Sequence, residues 1–407
     1  MKTLTKGRVP LKFSSRIERC GLSPMRKFAS VAAEAEKRGV HIYHLNIGQP
    51  DIATPKIYYQ TLKKFSSPVL SYAPSNGLPE MLEAVQHYYA GFGVQLEQGD
   101  ILISNGGSEA LQMLLACILE SGDEIVIPEP FYPNYATMVK LTGAKVHPLT
   151  TSPEEGYRYA VRERVEACIN RRTRAIMITN PGNPTGAVLT PQELKLMLDI
   201  AKKHKLFLIC DEVYREFTYN GEPLMSALQY PGYEDNVVVI DSVSKRFSAC
   251  GARIGMLISR NRTLMGHALK WCQTRLSSTM ADQLASAALY SVGSEYFVAM
   301  RKLYRERRDT MLRKLREIPG VVCAEPKGAF YVMAALPVDD AEKFQQWLLT
   351  EFEDRGETLM FAFGAPFYAT PGKGVNEVRM AYVLDVPQLE RAMDILAKAI
   401  KQYNEKK

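Results

Sequence analysis

The feature that most constrains the fold is a series of short apolar runs, each ending in small, polar or proline-rich residues. Between positions 100 and 260 they are Ile101–Ser104, Glu124–Pro128, Arg174–Thr179, Leu206–Cys210, Asn236–Ile240 and Ile254–Ile258. Each is too short for a core helix and is apolar at successive positions, as strands buried on both faces are. Helical stretches separate them; the one over Pro191–His204 has Thr190 as N-cap and Glu193 at the capping-box position. Strands alternating with helices predict an α/β fold with a mostly parallel, doubly wound sheet between two helical layers. Ligands of such sheets gather at the carboxyl ends of the strands. The residues just past each run are therefore the ones to read for chemistry.

After Asn236–Ile240 comes Asp241-Ser-Val-Ser-Lys-Arg-Phe-Ser-Ala-Cys-Gly-Ala-Arg-Ile-Gly255, which reads as a loop. Lys245 is flanked by the hydroxyls of Ser242, Ser244 and Ser248, with Arg253 further on. A lysine amine forms a Schiff base where its surroundings disfavour the ammonium form. Hydroxyls and a planar guanidinium grip a phosphate dianion. Together they suit an aldehyde cofactor that carries a phosphate; the plainer alternative is a solvated basic turn. Asn105-Gly-Gly-Ser108 opens a helix whose free amides and positive end cradle a phosphate, or Ser108 simply caps that helix. The Gly-x-Gly-x-x-Gly dinucleotide fingerprint is absent there. Tyr132, between prolines, either presents a ring face or plugs the core. Asn180-Pro-Gly-Asn-Pro-Thr-Gly186 is the most specific string in the chain: its prolines and glycines fix a turn that aims the Asn183 amide. Asp211, three residues before Tyr214, is a site carboxylate or a turn residue. Arg379 lies in the apolar run Glu377–Val383, where a guanidinium is costly unless an anion or a structural partner meets it. Gly107, Tyr132, Asn183, Asp211 and Lys245 all fall just after strands, so five separate bland readings would have to coincide in one place.

In order and spacing these motifs resemble the aspartate aminotransferase family, class I and II pyridoxal-phosphate enzymes of fold type I, over roughly residues 20–403. The resemblance implies a large cofactor-binding domain over 48–290. It also implies a smaller α+β domain built from 291–407 together with part of an N-terminal segment, 1–47. It makes Lys245 the covalent anchor of pyridoxal 5'-phosphate and the base that moves the substrate Cα proton. Asp211 then pairs with the ring nitrogen, Tyr214 and Asn183 hydrogen-bond the phenolic oxygen, and Tyr132 stacks on the ring where many relatives have tryptophan. Gly107, Ser108, Ser242, Ser244 and Arg253 hold the phosphate. Gly48, in the loop Asn46–Asp51, brings backbone to the substrate, and Arg379 takes its α-carboxylate. Tyr72, in the loop Ser71–Gly77 and otherwise a surface packing residue, reaches the neighbouring site of a homodimer. The implied reaction is ping-pong transfer of an amino group from an L-amino acid to a 2-oxo acid such as 2-oxoglutarate. Aspartate or glutamate is the favoured donor, with aromatic or neutral amino acids next. Ser23 and Ser108 stand where some subgroups place a cation for an acidic side chain, which leaves Arg26 and Arg275 as candidates. A cysteine-S-conjugate β-lyase would use the same lysine, aspartate and arginine; a regulatory protein of this fold would normally carry an added winged-helix domain.

Composition narrows the setting. The chain is 46% hydrophobic and 23% charged, with a formal charge of +7 spread along its length, which fits anionic small molecules at least as well as nucleic acid; no nucleic-acid partner is expected. No window has the length of a membrane span and no secretory signal is recognised in the basic first twenty residues, which read as an arm. Seven cysteines without Cys-x-x-Cys pairing read as reduced thiols of a cytoplasmic protein with no metal site. Towards the C-terminus one long helical stretch is expected over Asp282–Lys314.

Overall fold

The computed structural model describes residues 11–219, 221 and 224–406. Lys2, Lys6 and Arg8 of the expected arm lie outside the described residues; just beyond them is a four-residue helix, Ser15–Glu18. In chain order the strands are β1 (His41–His44), β2 (Ile101–Ser104), β3 (Glu124–Glu129), β4 (Lys145–Thr150), β5 (Thr173–Thr179), β6 (Phe207–Asp211), β7 (Val237–Ser242), β8 (Gly255–Ile258), β9 (Val322–Cys323), β10 (Tyr331–Ala335), β11 (Glu357–Met360), β12 (Ala362–Phe363) and β13 (Glu377–Ala381).

Seven of them form the central sheet in the order β2-β8-β7-β6-β5-β3-β4. Only β8 runs against its neighbours; the pairings of β3 with β4 and β5, of β5 with β6 and of β6 with β7 are parallel. All the predicted runs are strands within a residue or two of their expected ends. Alternate residues of each strand feed two separate cores, one per face. Ile176, Leu208 and Val239 pack on one side, and Ile125, Ile209 and Val238 on the other. The helices on both faces complete three layers. β4 escapes sequence reading because it is an edge strand with Pro148 inside it and mostly half-buried residues.

The remaining strands form a four-stranded sheet, β12-β13-β10-β9, and a parallel pair, β1 with β11. One apolar core joins Phe28, Ala32 and Leu45 to Met311, Phe344, Leu359 and Leu396, so the segment before β2 packs with the C-terminal third of the chain. Two expectations need correction. The stretch Asp282–Lys314 is two helices, Met280–Leu289 and Ser294–Arg316, broken where Gly293 takes an extended conformation and caps the second. The lysine segment is not a plain loop: Val243–Arg246 forms one helical turn, capped by Ser242 Oγ, which accepts from Ser244 N.

Candidate active site

The carboxyl ends of the central strands open into a cleft of about 570 Å³. Lys245 lies on its floor because β7 delivers the chain straight into the capped helical turn. Its Nζ donates to the Gly48 carbonyl at 2.8 Å and lies 3.7 Å from Cys250 Sγ. Gly48 must be glycine for this approach, since a Cβ there would sit 2.3 Å from Tyr331 Oη. Ser242 and Ser244, both buried, face the same cleft.

At one end of the cleft the helix Gly107–Ile118 points its amino terminus inward. Its cap is Gly106, at φ 79°; Ser108 lies inside the first turn and does not cap the helix. The left-handed conformation at Gly106 turns the chain so that the first amides face the cavity. Packing here leaves no room for side chains: a Cβ on Gly106 would meet the Arg253 guanidinium at 2.3 Å, and one on Gly255 would meet Gly106 C and Gly107 N at 2.4 Å. Arg253 itself donates to the Cys250 and Asn105 carbonyls at 3.1 and 3.4 Å.

At the opposite end Asp211 closes β6 and is 8% exposed. Burial pushes its carboxyl up to about 6, while hydrogen bonds from Tyr135 Oη at 2.5 Å and Val213 N at 3.2 Å favour the ionised form. Tyr132 stands edge-on to Tyr135, with ring centres 5.5 Å apart. Beside them Asn183 Nδ2 donates to Tyr214 Oη at 3.3 Å, and Tyr214 Oη lies 3.0 Å from Tyr331 Oη.

Arg379, on β13, reaches the cleft from the other sheet. It is 3% exposed and donates to Asn183 Oδ1 at 3.1 Å and to the Asn46 carbonyl at 2.8 Å. Its buried Nε has no partner among the described residues. A buried donor without an acceptor is costly, and the residue that carries it lines the cleft, where a bound anion would engage the guanidinium.

Every residue to which the resemblance gave a cofactor or substrate role lines this cleft except Tyr72, and Ser248, read beside the lysine, is not among the lining residues. Tyr72 is 78% exposed, next to the equally exposed Val69 and Leu70. Arg26 also lines the cleft and has no ion pair among the described residues. Arg275 does not line it: its Nε lies 3.1 Å from Glu109 and its Nη2 donates to the Ile103 carbonyl, so it is a structural cation. Tyr135, Tyr331, Asn46 and Cys250 line the cleft and were missed from the sequence. Only Tyr135 had a legible signal, its place three residues after Tyr132 at the start of the helix Asn134–Thr142.

The donor set suits a phosphorylated pyridine aldehyde: an amide-lined cradle too tight for a Cβ at one end, a buried acid at the other, and an amine between. With the three-layer sheet, that arrangement defines a pyridoxal-phosphate-dependent enzyme of fold type I. Residues 40–366 match the family Aminotransferase class I and II, and the chain belongs to it. It is 30% identical over 404 residues to an aspartate aminotransferase of Musicola paradisiaca, covering 96% of this chain and 97% of that one. Among solved structures it superposes on a Thermus thermophilus aspartate aminotransferase with maleate (TM-score 0.86, 27% identity, 96% and 100% coverage). It also superposes on an alanine aminotransferase from Pyrococcus furiosus (TM-score 0.87, 29% identity, 96% and 100% coverage). The protein is thus a pyridoxal-phosphate-dependent aminotransferase acting on amino acids and 2-oxo acids.

Proposed function

We propose that its donor is an acidic L-amino acid, aspartate or glutamate, and its acceptor a 2-oxo acid such as 2-oxoglutarate. The observation that carries this reading is the pair of cations on one cleft: Arg379 with a free buried Nε, and Arg26 without an ion pair among the described residues. Two carboxylates need two such groups. Among the relatives, the names aspartate and alanine aminotransferase show that the family's donors vary, so the choice rests on the chain's own residues.

The Gly107 and Ser108 amides, the Ser242 and Ser244 hydroxyls and Arg253 would hold the phosphate of pyridoxal phosphate. Tyr132 would support its ring, Asp211 would pair with its ring nitrogen, Asn183 and Tyr214 would hydrogen-bond its phenolic oxygen, and Lys245 would be its covalent anchor. When bound it supplies an aldehyde that condenses with amines and a pyridinium ring that withdraws electrons from the substrate Cα. Arg379 would fix the substrate carboxylate, Gly48 would bring backbone against it, and Lys245 Nζ would take the Cα proton and return it to the cofactor's C4′ carbon. Asp211, ionised, keeps the ring nitrogen protonated. The proposed division of the chain is 1–47, 48–290 and 291–407. We place the protein in the cytoplasm as a homodimer in which Tyr72 reaches the partner's cofactor phosphate. Sedimentation as a monomer that still binds cofactor tightly would end that part. Among the described residues no helix is long and apolar enough to cross a membrane.

A panel of amino donors mixed with the cofactor-loaded protein tests the substrate. Aspartate and glutamate should change the cofactor absorbance at the lowest concentrations; preference for alanine or phenylalanine rejects the acidic assignment. Lys245→Ala should abolish turnover with every donor. Release of ammonia and pyruvate from cystathionine without an oxo acid would mark β-elimination instead.

A further inference from the structure

We propose that two buried carboxylates, Glu377 and Glu129, clasp the loop 364–370 and thereby hold Arg379 in the orientation that receives a substrate carboxylate. The inference rests on the role given to Arg379 above and supplies what positions it.

Glu377 and Arg379 are two residues apart on β13, so they project from the same face. Glu377 is 6% exposed. Its carboxylate accepts from Tyr368 Oη at 2.9 and 2.7 Å and from Tyr157 Oη at 2.9 Å. Tyr157 belongs to the connection after β4, on the central-sheet side, whereas Tyr368 belongs to the loop. Glu129 ends β3 and is 1% exposed. One of its oxygens accepts from the Ala369 and Thr370 amides at 2.9 and 3.1 Å, the other from Thr150 Oγ1 at 3.1 Å. Phe131 N adds a bond to the Phe367 carbonyl at 2.8 Å.

Between these anchors the loop carries Phe367, fully buried, whose ring centre lies 5.2 Å from Arg379 Cζ; Tyr331 stands 4.6 Å away. Phe367, Tyr368, Tyr157 and Met333 form a small apolar cluster of their own. The loop is closely packed at both ends: a Cβ on Gly364 would meet the Glu377 carbonyl at 2.6 Å, and one on Gly374 would meet the Tyr368 ring at 2.5 Å. A buried carboxylate is costly unless its lone pairs are filled. Here phenols, a threonine hydroxyl and backbone amides fill them, not cations. These bonds join segments far apart in sequence, and all converge on the ring that braces Arg379. Among the described residues Nε is unpartnered, and the guanidinium owes its aim to two hydrogen bonds and this packing.

The test uses cofactor-loaded protein and two probes followed by cofactor absorbance. Propionate needs only the Arg379 end, and maleate is a dicarboxylate. Tyr157→Phe, Tyr368→Phe and Glu377→Gln should each weaken both probes about tenfold, raising KM more than they lower kcat, with cofactor affinity unchanged. The phenylalanine variants keep the buried rings, so they read the clasp even where Glu377→Gln does not fold. Arg379→Ala should lose both probes. If it does and the other three bind like wild type, the clasp is overturned and the Arg379 assignment stands. Wild-type binding by Arg379→Ala overturns the assignment and the clasp with it. Parallel loss of cofactor and probes in the phenylalanine variants means a general structural role and also overturns it.

Discussion

Tyr135 Oη lies 2.5 Å from Asp211 Oδ2, the strongest contact made by the buried acid at the end of β6. Thr179 Oγ1, 3.0 Å from the same hydroxyl, steadies it. The phenol is itself buried against the carboxylate, and burial first, then Asp211, drives its own ionisation far above the ordinary tyrosine range. It therefore stays a donor at every working pH. Donation to the ionised acid opposes the effect of burial, so Tyr135, with the Val213 amide, helps keep Asp211 usable as an anion.

Tyr135→Phe should consequently lower kcat about tenfold, by removing one hydrogen bond to a charged group. Losing a donor to the anion favours the protonated acid, so the acid limb of the kcat–pH profile should move to higher pH by about one pH unit. A profile identical to wild type would show that Asp211 does not depend on this hydroxyl.

The same acid makes the cofactor-free protein sensitive to pH. In the folded protein its carboxyl is raised from the ordinary 3.8 to about 6, chiefly by burial. The folded state thus binds this proton more tightly than the unfolded chain does. The resulting stability is fully present below about pH 4 and is lost as pH rises through about 6, a change of roughly 3 kcal/mol. Asp211→Asn removes the titration. Urea unfolding of the two cofactor-free proteins between pH 4 and 8 should show wild type losing ground to the variant as pH rises. A constant difference would refute it.

Gly255 gives a steric prediction. A methyl group there would sit 2.4 Å from Gly106 C and Gly107 N, both backbone atoms of the cradle. Gly255→Ala must push the helix Gly107–Ile118 away from β8. It should weaken binding of pyridoxal phosphate, measured by equilibrium dialysis, and destabilise the fold by about 2 kcal/mol. Gly251→Ala, which meets nothing within 4 Å, is the control and should bind like wild type.

How much of this could be read in advance depended on how local each signal was. The buried strands of the central sheet carry their signal in consecutive apolar residues, and Lys245, Asp211 and Asn183 follow them directly, so sheet and cofactor floor were legible together. β4 was not, because an edge strand with a proline lacks that pattern. Tyr331 and Asn46 join the cleft only because β10 and the loop after β1 fold against the central sheet, a contact no local spacing encodes. Arg26 and Arg275 looked equivalent as lone basic residues. Tertiary pairing alone separates them: Glu109 and the Ile103 carbonyl take Arg275, and nothing among the described residues takes Arg26.

That separation makes Arg26 the residue to change. It stands beside the half-buried Met25 on the wall of the cleft, exposed, on a segment whose neighbour Phe28 is anchored in the C-terminal core. A guanidinium with no carboxylate of its own is available to one carried by a substrate. Arg26→Gln removes the charge, keeps most of the side chain's length and touches none of the groups assigned to the cofactor. Its kcat/KM for aspartate should fall by about tenfold to a hundredfold, the cost of one charge-assisted hydrogen bond. That for alanine, which has no second carboxylate, should stay within about twofold. The aspartate reaction of wild type should also weaken more steeply with salt than that of the variant, because an exposed pair is screened. Equal losses for aspartate and alanine would place Arg26 in the general architecture of the cleft and leave the acidic side chain without a partner.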